Sequence, residues 1–219
     1  MKSNELLSDI TQCIIRAKNL IGHEKKAMTF YGKKVIHWPL FFSDEVVPTI
    51  GNEYMDLCAT SIGLISYKLL DDGQSNDFVN QAIRGILTMQ NTDKSWPSVM
   101  YQGPDISKGK QLDGIINDTC FALNALIACS FLDKTYLYDT SILKEFGLNT
   151  FKERTNFVID SVKWLDKYKE DNGWYYTTTA YFTEVHSILP AASATISVIN
   201  TLNIIVCKLR LTDINVDIQ

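Results

Sequence analysis

QNTDKSWPSVMYQG, residues 90–103, sets a Gln, an Asp and a Trp at fixed offsets where an apolar helical pattern stops. Across residues 77–90, Phe78, Val79, Ala82, Ile83, Ile86 and Leu87 recur at the spacing of one face of an amphipathic helix. The same event occurs downstream. Residues 151–169 turn Val158, Val162 and Leu165 to one side, and YKEDNGW, residues 168–174, then repeats the offsets with Asp171, Gly173 and Trp174. A motif that recurs after successive helices belongs to the architecture rather than to one active site. A Trp ring can pack over a helix end while Gln and Asp side chains bond the backbone groups left open at helix termini. Gln90, Asp93, Trp96, Asp171 and Trp174 are therefore read as structural clasps tying one helical hairpin to its neighbour.

Outward from these motifs, Leu7, Ile10, Ile14, Ala17 and Ile21 mark a further amphipathic helix near the N-terminus. Segments 56–70, 118–132 and 191–209 are of another kind: apolar on nearly every side, rich in small residues, and opened by Ser, Thr or Asp able to cap a helix. They predict buried helices. Half-exposed and buried helices thus alternate, as an internal repeat of helical hairpins requires. The expectation is a single all-α domain over residues 1–219, with repeats near 1–70, 71–132 and 148–210. The connections 22–54, 97–117 and 174–190 read as long loops gathered at one end. Loops of that length are uncommon unless functional, so Tyr101, Tyr175 and Tyr181 within them are expected to line a ligand site.

Composition narrows the function classes. With 219 residues, 46% hydrophobic and 21% charged, the chain has the make-up of a folded soluble domain. A net charge of −4, with Lys25, Lys26, Lys33 and Lys34 only in isolated pairs, argues against a nucleic-acid partner. Five widely spaced cysteines without a CxxC pair suit free thiols in a reducing cytoplasm. The N-terminal MKSNELLSDITQ lacks the basic-then-apolar order of a signal peptide. Residues 191–207 fall short of the ~20 apolar residues a bilayer demands, so no membrane span is expected. Gly103, Gly109 and Gly114 form no phosphate loop, and His23-Glu24 lacks the second His of a zinc-protease helix. Asp105, Asp113 and Glu184 read as solvated loop carboxylates.

The paired Gln/Asp/Trp turns, each closing an amphipathic helix and followed by a buried one (DTCFALNAL, SATISVINTL), resemble the QW repeats of the terpenoid cyclase and protein prenyltransferase families, squalene-hopene cyclases among them. His37-Trp38-Pro39 resembles a degenerate first copy. The resemblance covers most of residues 50–209. It implies an α/α toroid-like array of about three outer/inner helical hairpins, a partial α/α barrel. It also implies an apolar, isoprenoid- or lipid-like ligand in a central helical cavity. In the cyclases a DxDD motif opening an inner helix supplies the protonating acid. Here that run resembles Ile115-Ile116-Asn117-Asp118-Thr119, with Asn117 in place of the acid; Asp118 remains the catalytic candidate and Asn117 a ligand-binding one. In the prenyltransferases an Asp-x-Cys pair and a later His hold zinc, and Asp118, Cys120 and His186 match that set; the Asp56-Leu57-Cys58 run is read as an echo of the same pair by repeat descent. At about half the length of a full ring the array leaves inner helices open, so a second copy or another subunit is expected to close it. Three functions follow: an isoprenoid or lipid enzyme lacking the usual DxDD acid, a non-catalytic interaction subunit, and a zinc-dependent transferase.

Overall fold

The computed structural model describes residues 3–30, 32–38, 54–70, 76–101, 114–171, 173–180, 183–190 and 192–212. The chain begins with α1 (Ser3–Glu24), β1 (Lys26–Phe30) and β2 (Lys33–His37). There follow β3 (Tyr54–Asp56), α2 (Leu57–Leu70), α3 (Asn76–Thr88), β4 (Val99–Tyr101), α4 (Ile116–Ala128), the short α5 (Thr140–Glu145) and α6 (Phe151–Asp166). The last elements are β5 (Lys169–Glu170), β6 (Gly173–Ala180), β7 (Thr183–Pro190) and α7 (Ala192–Leu211).

An all-α toroid-like array is not what the chain forms. Most described residues are helical, but small antiparallel sheets (β1-β2, β3-β4, β5-β6-β7) are built into the connections that had read as loops, giving a mixed α/β molecule. The reason lies in residues 26–37 and 173–190. KAMTF and KKVIH flank a turn where Gly32 adopts φ +75, and they pair in register from Lys26↔His37 to Phe30↔Lys33. The lysines point outward while Phe30, Val35 and Ile36 are buried over α3. GWYYTTTA is rich in aromatic and β-branched residues, which favour a pleated strand, and it pairs with TEVHSILP.

The helices form around a common core. α2, α4 and α7 lie side by side, α1 and α3 pack on α2, and α6 packs on α4. Phe78, Val79, Ala82, Ile83, Ile86 and Leu87 of α3 are all buried, as are Val158, Trp164 and Leu165 of α6. Helix α6 starts on a reciprocal cap: Thr150 Oγ1 accepts from Glu153 N at 3.1 Å and Glu153 accepts from Thr150 N at 2.7 Å. Arg154, 2% exposed, donates to the Phe131, Asn149 and Asp133 carbonyls and so fixes the connection between α4 and α6.

Two further expectations are corrected. Among the described side chains the apolar stripe of α1 is open: Ile10 and Ile14 are each 47% exposed, while Ile21 packs against the core. Helix α4 runs from 116 to 128 rather than 118 to 132, because the chain turns at Ser130 with φ +62. Among the described residues, α7 is a helix long and apolar enough to cross a membrane by length and composition; Ala194, Val198, Thr201, Ile205 and Leu209 are nonetheless buried, with α4 and β6 packed against the helix.

Candidate functional site

The clasps come first because they position everything else. The indole Nε1 of Trp96 donates to the Ile86 carbonyl near the end of α3 at 2.7 Å, and its backbone N donates to Thr119 Oγ1 in the first turn of α4 at 3.1 Å. Trp174 does the same between α6 and α7, donating to the Leu165 carbonyl at 2.9 Å and to Thr195 Oγ1 at 3.0 Å. Trp38 completes the set between α1 and α2, bonding the Ile21 carbonyl at 2.8 Å and Thr60 Oγ1 at 3.4 Å. Each Trp thus holds the end of one helix to the start of the next. The Trp38 ring also lies so close to Gly63 of α2 that any side chain there would run into it.

Around Trp96 the turn is held by its own side chains. Asp93 Oδ1 accepts from the Ser95 backbone N and hydroxyl, and Asp93 Oδ2 accepts from Trp164 Nε1 of α6 at 3.0 Å. Gln90 Nε2 donates to Ser161 Oγ of α6 at 3.3 Å and to the Lys94 carbonyl. Asp171 of the second copy is exposed.

The three threonines give the repeats a common frame, and that frame separates the two Asp-x-Cys runs. With Thr60 set against Thr119, Cys58 falls opposite Asn117 and Ser61 opposite Cys120. Asp56-Leu57-Cys58 is therefore not a repeat copy of Asp118-Thr119-Cys120. The two runs nonetheless meet, because α2 and α4 are neighbours.

Asp56 precedes α2, and its Oδ1 accepts from Ala59 N at 2.7 Å, a helix cap. Asp118 lies in the first turn of α4, and its Oδ2 accepts from the Ser98 hydroxyl at 2.7 Å. Ser98 also accepts from Leu57 N through its carbonyl at 2.9 Å, so one residue fastens both helix starts. Both carboxyls are 6% exposed. Burial pushes Asp118 up to about 6; the Ser98 hydrogen bond pulls it back and the Asp56 charge adds to the rise. Burial raises Asp56 too, against the backbone N–H groups of Ala59 and Cys58. The flanking thiols of Cys58 and Cys120 are both pushed up to about 12, by burial first, with Asp118 adding to each. Asn117, the residue before Asp118, has a buried Oδ1 without a hydrogen-bond partner among the described residues. Such a corner favours the protonated form of a carboxylic acid.

Among the described residues no three His, Cys, Asp or Glu side chains come together for a metal, and without a metal burial holds Cys120 as a thiol. His186 is placed in β7 opposite Thr177, Tyr101 in β4 and Tyr175 in β6, while Tyr181 lies outside the described residues. Sequence reasoning had set Asp56 aside as a repeat echo and had not singled out Ser98; the available signal was a Ser two residues after the clasp Trp. A further buried titratable group is His37, next to Trp38. Burial and the nearby Lys26 charge lower it to about 4, against a smaller opposing effect of the Trp38 backbone hydrogen bond, and its Nδ1 has no partner.

Comparison of the chain with protein-family models, with curated proteins and with solved structures finds no match.

Proposed function

We propose that the chain is a terpenoid-cyclase-like or prenyltransferase-like protein that binds, and through Asp118 protonates, an apolar isoprenoid- or lipid-like ligand where α2, α4 and α7 begin. The carrying observation is the Asp118 carboxyl: nearly inaccessible, bound to a single neutral hydroxyl, and pushed up to about 6. A carboxyl in that state gives its proton to an alkene carbon or an epoxide oxygen, leaving a carboxylate beside the cation it has made. Asn117 lacks the acid's proton but offers an unpaired acceptor to the same ligand. Tyr101, Tyr175 and Tyr181 are the aromatic residues this reading proposes for ligand binding. The unbridged cysteines among the described residues suit a reducing cytoplasm.

The test offers farnesol, geranylgeraniol, squalene and an epoxide of squalene to the protein, reading binding by native mass spectrometry and conversion by product analysis. The expected result is capture of at least one of them, with Asp118→Asn retaining binding and losing conversion. No binding of any probe, or conversion by Asp118→Asn at the wild-type rate, overturns the reading.

A second reading, a non-catalytic subunit that packs on another chain, is favoured by one observation. Ile196, Ile199 and Ile204 of α7 are 57%, 48% and 40% exposed, and Leu69 at the end of α2 is 81% exposed. A second copy or a different subunit covering them would remove this apolar surface from water. Light scattering at micromolar concentration that returned a strict monomer would remove the second-copy form of this reading.

A further inference from the structure

We propose that Asp56 is the positioning partner of Asp118: the two carboxyls share one proton between the starts of α2 and α4, with Asp118 presenting it and Asp56 keeping it there. The assignment rests on Asp118 being the acid, and it names the group that controls it.

The geometry comes from Ser98. In the β3-β4 ladder Asp56 stands opposite Val99, the residue next to Ser98, and Ser98 itself grips Asp118 through its hydroxyl and Leu57 through its carbonyl. Both carboxyls are thereby held at the same end of the same two-stranded ladder, and neither reaches solvent freely. Two buried carboxylates at the starts of neighbouring helices repel when both ionise, so the pair keeps one proton up to about pH 6. The division of roles follows from the bonds each already accepts. Asp56 receives backbone N–H groups at the positive end of α2, which favour its anion. Asp118 receives one neutral hydroxyl, and the N-cap of its own helix, Ile115, contributes no side-chain cap. Asp118 is the weaker anion and takes the proton. The groups that face it are Asp56 ahead of α2, Cys58 on α2, Cys120 on α4 and the Ser98 hydroxyl, with Thr201 of α7 beside Cys120. Both thiols are neutral, so Asp56 brings the only formal charge in this set.

When Asp118 gives its proton to a ligand the corner holds two carboxylates, a state that favours recovery of a proton from the product. Asp56 thus sets both the strength of the acid and the return of the proton, and no other co-reactant is needed.

The experiment is a carbon-detected NMR titration of the aspartate carboxyls in wild type, Asp56→Asn and Asp118→Asn, all in the full chain. Asn caps a helix as well as Asp, so Asp56→Asn keeps the start of α2. The expected result is an Asp118 midpoint near 6 in the wild type, falling by about one unit in Asp56→Asn, while the Asp56 midpoint does not fall in Asp118→Asn, because Asp56 ionises while Asp118 still holds its proton. An Asp118 midpoint that stays put in Asp56→Asn overturns the pairing, and a fall of the Asp56 midpoint in Asp118→Asn overturns the division of roles; if Asp56→Asn does not fold, Asp56→Ser, which also caps a helix, decides in its place. Coupled midpoints with no ligand conversion leave the pair standing and sink the acid reading; conversion lost in Asp118→Asn with uncoupled midpoints does the reverse.

Discussion

Trp96 and Asp118 sit on either side of Thr119 and treat their polar groups in opposite ways. At Trp96 the ring N–H bonds a helix-end carbonyl, the backbone N–H bonds the Thr119 hydroxyl, and the backbone carbonyl accepts from Ile115 N at 2.8 Å. One residue along, Asp118 is also buried but carries an ionisable group with one hydroxyl partner and the Asp56 charge acting on it, and the Asn117 carbonyl before it is left unpaired. The clasp is an arrangement stability alone would select. The corner at Asp118 is not: a buried carboxyl pushed up to about 6 costs stability once it ionises.

The largest effect expected from this contrast is at the clasp. Trp96→Ala removes a fully buried indole and its hydrogen bond to the Ile86 carbonyl, and it should destabilise the fold by about 3–5 kcal/mol in urea denaturation. Trp174 is only partly buried, so Trp174→Ala should be clearly milder. Equal losses at both would mean that the repeated bonds, not the burial, dominate.

Next in size is the opposite sign at the corner. The folded chain keeps a proton on Asp118 up to about pH 6, whereas the unfolded chain releases it near 3.8. Between those values the folded state binds more protons, so this group's contribution to stability falls as pH rises. Asp118→Asn should therefore stabilise the protein at pH 7.5 by roughly 2 kcal/mol and change little near the acid end of that window. His37 works the other way: folded about 4, unfolded 6.5, so its contribution rises with pH across an overlapping window. The wild type should show a muted pH dependence between the two, and Asp118→Asn should expose the acid weakness due to His37. Thermal melts from pH 4 to pH 8 check this, and a variant that melts lower than wild type at pH 7.5 would make Asp118 a structural residue.

The smallest effect is local to the turn. Lys94 adopts φ +79, a left-handed conformation that disfavours a side chain. Lys94→Gly should stabilise by up to about 1 kcal/mol; a loss would show that the Lys94 side chain contributes more than the strain removes.

Much of the helical content was legible because the signal was periodic: the faces of α3 and α6 lie where Phe78 to Leu87 and Val158 to Leu165 place them. The Trp96 and Trp174 turns were legible because their offsets recur. The strands were missed because each hairpin lies inside a long connection whose lysines and tyrosines read as loop composition, and KKVIH, buried at three successive residues, shows no clean alternation. The exposed face of α1 could not be anticipated, since an amphipathic pattern says which side is apolar and not whether anything covers it. Asp118 came from the resemblance of residues 115–119 to the run that opens an inner helix in the cyclases. Asp56 was seen but discounted, because only the hydrogen bonds to Thr60 and Thr119 reveal that the two Asp-x-Cys runs occupy different steps of the repeat.

The threonine bonds have a bearing on how such a molecule changes over time. Trp38 to Thr60, Trp96 to Thr119 and Trp174 to Thr195 each close a segment whose two ends meet at one hydrogen bond, with separations of 22, 23 and 21 residues. A segment pinned at both ends can be lengthened at little thermodynamic penalty, only about 0.6 kcal/mol for each doubling. Each can therefore take an insertion while the helices that hold its ends keep their places.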